Sequence, residues 1–144
     1  MGTTCGIIFN EGAPVFERRW GATKVVATIF SSKEGYYGGY GLLLAEFLAG
    51  KTMINGITDY SDRYANGTGC LAAQCVKFLK KGVGGIGLCS ELTINDYKQI
   101  EYIYHVYTDT LHPEYGIEIH AGDDELRFVG TPTGFLKFCK ENDF

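Results

Sequence analysis

Apolar and polar positions alternate with a period of two along much of this chain and follow a helical period in three places. Residues 4–9 are apolar and weakly alternating, and residues 23–30 (Thr-Lys-Val-Val-Ala-Thr-Ile-Phe) are rich in β-branched side chains. Both stretches read as strands. Asn10-Glu11-Gly12 reads as a turn into a second strand over residues 14–18, which predicts a hairpin. Residues 98–107 place Ile100, Tyr102, Tyr104 and Val106 on one face, the expected buried one. Gln99, Glu101, Ile103, His105 and Tyr107 fall on the other. Short strands are expected over residues 86–89, 116–120 (Ile117 and Ile119 inward) and 125–129, with an extended piece near 52–57.

Residues 40–49 read as a helix that is apolar nearly all round, carrying Leu42, Leu43, Leu44, Ala45, Phe47 and Leu48. Such a helix is buried in its own domain or against a partner. Residues 70–80 form an amphipathic helix, with Leu71, Cys75 and Phe78 on one stripe and Gln74, Lys77 and Lys81 on the other. Thr131-Pro132-Thr133 opens a third: a threonine cap followed by proline at the first helical position. Strands and helices do not alternate regularly. The expected fold is therefore α+β, one domain over residues 1–144, with a mainly antiparallel sheet and two to three packed helices.

Composition narrows the function classes. The chain has 144 residues, a net charge of −4 and no long basic run. Nucleic acid, which needs a basic face, is not an expected partner. No apolar run approaches ~18 residues, so no membrane partner is expected either. No signal-peptide pattern is visible, which makes the cytoplasm the expected compartment. The five cysteines show no C-x-x-C spacing, so zinc-ribbon and thioredoxin patterns are lacking and no metal or other cofactor is expected. Buried thiols acting as small hydrophobes are the simplest account of them.

Four features could carry chemistry. Cys70 falls in the first turn of a helix, where the dipole favours a thiolate, and His105 or His120 could serve as its base. Two glycine-rich turns precede helices: Gly35–Gly41, containing Gly38, Gly39 and Gly41, and the Asn66-Gly67-Thr68-Gly69 stretch. Backbone N–H groups at a helix start bind anions, and glycine lets them approach. The first turn lacks the Lys-Ser/Thr ending of a P-loop. If residues 98–107 and 116–120 pair as a hairpin, an even position of the first opposes an odd one of the second. His105 then faces an even position such as Glu118, and the outer face collects Glu101, His105, Glu118 and His120. Finally, Arg19 and Trp20 are residue types found at interface hot spots.

Three segments together resemble a small uncharacterised family of bacteria, phages and large DNA viruses. They are Gly35-Tyr36-x-x-Gly39-x-Gly41-x-x-Leu44-Ala45-x-Phe47-Leu48, Asn66-Gly67-x-Gly69-Cys70-Leu71-Ala72-Ala73-Gln74, and Gly130-Thr131-Pro132-x-x-Phe135-Leu136. Relatives carry polar residues where Leu42 and Leu43 stand, so the extra apolar surface points to a protein contact. The resemblance brings no activity. The leading expectation is a soluble, non-enzymatic, self-associating protein, structural or accessory and of viral kind, acting in the host cytoplasm or virion as a homo-oligomer. The alternatives are a binding protein for a small anionic ligand, phosphorylated or nucleotide, at Gly38, Gly39, Gly41, Asn66, Gly67 and Gly69, and a cysteine-dependent hydrolase or transferase using Cys70.

Overall fold

The computed structural model describes residues 3–12, 24–56, 61–89 and 99–142. Among them the chain forms eight strands and three α-helices. The strands are β1 (Cys5–Glu11), β2 (Lys24–Ser31), β3 (Thr52–Ile54), β4 (Tyr64–Asn66), β5 (Ile86–Cys89), β6 (Tyr102–Thr108), β7 (Glu118–Gly122) and β8 (Leu126–Gly130). The helices are α1 (Leu42–Ala49), α2 (Gly67–Leu79) and α3 (Pro132–Glu141). A wide helical turn, Tyr37–Gly41, leads into α1, and a 3-10 turn, Pro113–Tyr115, precedes β7.

The main sheet has the order β5-β2-β1-β6-β7-β8. Its pairs are antiparallel except β1 with β6. β3 and β4 form a separate parallel pair. The expected α+β architecture with a mainly antiparallel sheet holds. The parallel pair at its centre follows from topology: β2 already takes one edge of β1, so β6 reaches the other only after the chain has crossed over through α1 and α2.

The helices cover one face of the sheet. Cys5, Ile7 and Phe9 of β1, Ile29 of β2, Tyr104 and Val106 of β6, and Ile119 and Ala121 of β7 join the helices in one buried cluster. From α1 it takes Leu44, Ala45, Phe47 and Leu48; from α2, Leu71, Ala72, Cys75 and Leu79; from α3, Phe135 and Cys139. The helix that is apolar nearly all round is thus largely absorbed by its own fold. Strand alternation sends Ile8, Asn10, Thr28, His105 and His120 to the opposite face, where they too are at least partly buried.

Several boundaries shift. Asn10 and Glu11 stay in β1 rather than turning, because both side chains have partners across the sheet. The hairpin strand over residues 14–18 lies outside the described residues. α2 begins at Gly67, three residues earlier than its apolar stripe indicates, and the strand over residues 98–107 begins at Tyr102. α3 starts as read, with the Thr131 hydroxyl accepting the Gly134 N–H at 3.2 Å.

Candidate functional site

The turn before α1 is a packing device. Glu34 adopts a left-handed conformation (φ 58°), and its carbonyl accepts the Tyr40 N–H at 2.7 Å. A Cβ on Gly39 would lie 2.1 Å from that carbonyl oxygen, and one on Gly41 would lie 2.8 Å from the Tyr104 hydroxyl. Tyr104 donates that hydroxyl to the Gly35 carbonyl at 2.6 Å. The room glycine leaves at Gly39 and Gly41 is therefore filled by the protein's own atoms. Gly38 sits in the same turn, half-buried.

The start of α2 holds its own anion. Glu11 reaches it from the end of β1: its carboxylate accepts the Thr68 hydroxyl at 3.0 Å, the Thr110 N–H at 2.7 Å and the Thr110 hydroxyl. The Thr68 N–H, in the first turn of the helix, donates to the Thr110 hydroxyl oxygen at 3.2 Å. Thr68 and Thr108 place their hydroxyl oxygens 2.6 Å apart. A carboxylate at a helix N-terminus complements the dipole, and here it comes from within the chain. Asn66 directs its side-chain carbonyl to the Gly56 N–H at 3.0 Å rather than to the helix. Gly67 (φ 87°) packs its Cα side against Thr110, and Gly69 is exposed, 3.9 Å from Val26 measured from where a Cβ would stand.

Cys70 does not meet His105 or His120. Cys70 packs half-buried against the helix-side core, whereas both histidines project from the other face of the sheet. The sheet stands between thiol and imidazole, and the pairing read from sequence is corrected on that ground. Burial pushes the Cys5, Cys75 and Cys139 thiols up to about 12, which makes them packing residues.

The β6–β7 register puts His105 opposite His120, not Glu118. The even-to-odd matching of the two strands is as expected, one step along. Glu118 instead accepts from His120 Nε2 at 2.7 Å, and Tyr107 stacks on His105 at 5.8 Å between ring centroids. The Asn10 side-chain amide lies 3.3 Å from His105 Nδ1. Burial, with the neighbouring His120 second, lowers the His105 pKa to about 4. Among the described residues no three His, Cys, Asp or Glu side chains converge on a metal position.

A different surface remains open. Leu43 of α1 is 41% exposed and Phe78 of α2 is 40% exposed. Phe47 lies between them: it is one turn beyond Leu43 on the same helix face, and its ring centroid is 5.4 Å from that of Phe78. Exposed Glu46 and Lys77 border this strip, Lys77 being 3.9 Å from the exposed Asp62. Arg19 and Trp20, the interface residues expected from sequence, lie outside the described residues.

No protein-family model matches the chain, and comparison with curated proteins and with solved structures returns no match. No described helix is long and apolar enough to cross a membrane.

Proposed function

We propose that this protein is a non-catalytic, self-associating protein of structural or accessory kind, and that copies meet through the outer face of α1 and α2. The observation that carries the reading is the exposed pair Leu43 and Phe78, with the buried Phe47 ring between them. Once the core has taken Leu44, Ala45, Phe47 and Leu48, Leu43 and Phe78 remain exposed as an apolar centre with a charged border. Interfaces share that anatomy: apolar and aromatic at the centre, polar at the rim. A two-fold arrangement suits it, because Glu46 on one copy can face Lys77 on the other in both directions at once. The fate of the catalytic and anion-binding candidates agrees with this. The Cys70 thiol has no histidine on its side of the sheet from β6 or β7, and the Glu11 carboxylate is committed to three donors.

An NMR dilution series tests the surface. The Leu43 methyl and Phe78 ring signals should shift with protein concentration while those of buried Leu44 and Phe135 stay fixed. Concentration-independent Leu43 and Phe78 signals would contradict the reading.

A further inference from the structure

A cavity of about 720 Å³ opens on the far side of α1 from Leu43, between the end of that helix, β3, the Pro113–Tyr115 turn and the start of α3. Leu48, Met53, Pro113, Ile117, Pro132 and Thr133 are among its walls. Its size falls in the range of small-ligand sites, roughly 300–1,000 Å³. β3 gives it a polar side. In a parallel pair, alternate residues direct both N–H and C=O toward the partner strand. The Thr52 N–H donates to the Arg63 carbonyl at 2.7 Å, so Thr52 and Ile54 face β4. Met53, between them, turns its N–H and C=O the other way, and neither group has a partner among the described residues. Met53 is only 7% exposed, and peptide groups this buried are normally paired. Lys51 also lines the cavity; its ammonium donates to the Asp62 carbonyl and lies 4.7 Å above the Phe47 ring. Glu114 adds a carboxylate to the lining. With one charge of each sign, the lining favours a ligand of no net charge.

We propose that this cavity binds a small neutral ligand bearing two amides on either side of one carbon, with an apolar substituent on that carbon. The N–H of one amide meets the Met53 carbonyl, the carbonyl of the next meets the Met53 N–H, and the apolar substituent between them rests on Ile117 and Pro132. The site meets the α1–α2 face at Lys51, but the Met53 amide and the Leu43 methyl report on the two separately, so either reading can fail alone.

The probe is N-acetyl-leucine N-methylamide, titrated into uniformly labelled protein and followed through backbone amide signals. The expected result is a saturable shift of the Met53 amide at millimolar probe. It should be lost in Thr133→Trp and in Ala49→Trp, which fill the cavity from two exposed positions. Two variants keep the test decisive if one misfolds. The same probe methylated on its leucine nitrogen, which removes one donor, should bind roughly fivefold more weakly or worse. No saturable shift at Met53, a shift that survives in a folded Trp variant, or equal binding of the methylated probe would overturn the proposal.

Discussion

The Tyr104 hydroxyl donates to the Gly35 carbonyl at 2.6 Å from a side chain that is completely buried. This bond ties the central strand β6 to the turn that launches α1. Tyr37, two residues on in that turn, is buried as well, against Tyr102 and Phe138, yet its hydroxyl has no partner among the described residues. The two tyrosines should respond oppositely to loss of the hydroxyl. Tyr104→Phe leaves the Gly35 carbonyl unpaired and should destabilise by about 1–3 kcal/mol. Tyr37→Phe removes a buried polar group that gains nothing, and should be neutral or stabilising by up to about 1 kcal/mol. Urea unfolding of both variants checks this. Equal losses would show that the Tyr37 hydroxyl is satisfied.

Thr68 joins Glu11 to the start of α2 and is 1% exposed. Thr68→Val keeps the shape and removes the hydroxyl that donates to Glu11 and lies 2.6 Å from that of Thr108. A loss of about 1–3 kcal/mol is expected, with most of it recovered by Thr68→Ser. Thermal unfolding of the two variants decides it. If Val loses nothing while Ser does, the γ-methyl rather than the hydroxyl is what matters.

His105 sets a pH dependence. Its pKa is lowered from 6.5 to about 4 in the folded state. Between these values the unfolded chain binds the extra proton and the folded one does not, so stability rises with pH across that window. The contribution is complete above about pH 6.5. It is lost as pH falls toward 4, and amounts to at most about 3 kcal/mol. The Asn10 amide beside Nδ1 acts in the same direction, since its N–H can donate only to an unprotonated nitrogen. His105→Phe, which keeps a ring on Tyr107, should flatten the unfolding free energy between pH 4 and 6.5. An unchanged slope in the variant would assign the pH dependence to other groups.

The strands were legible because burial is written into their alternation. Ile117 and Ile119 face inward, and Tyr104 and Val106 form the buried face of β6, as period two requires. α3 was legible because its cap is local in sequence. The polar network was not: Glu11 is separated from Thr68 by 57 residues and from Thr110 by 99, and no spacing rule links such positions. The β1–β6 parallel pairing was hidden for the same reason. Cys70 with His105 was a reasonable chemical pair on paper, but only the sheet register shows that they leave on opposite faces. The apolar α1 pattern was read correctly as buried surface. How much the core would absorb, and that Leu43 would be left outside beside Phe78, depended on packing against α2.

The central claim is self-association through α1 and α2. Light scattering behind size exclusion, run on the natural chain and on Leu43→Glu, tests it most directly. Leu43 lies on the exposed side of α1, so a glutamate there leaves the core intact. The account predicts a mass at least twice 15.9 kDa for the natural chain and 15.9 kDa for the variant. A natural chain that runs as a 15.9 kDa monomer at high concentration, or an oligomer untouched by Leu43→Glu, would contradict it.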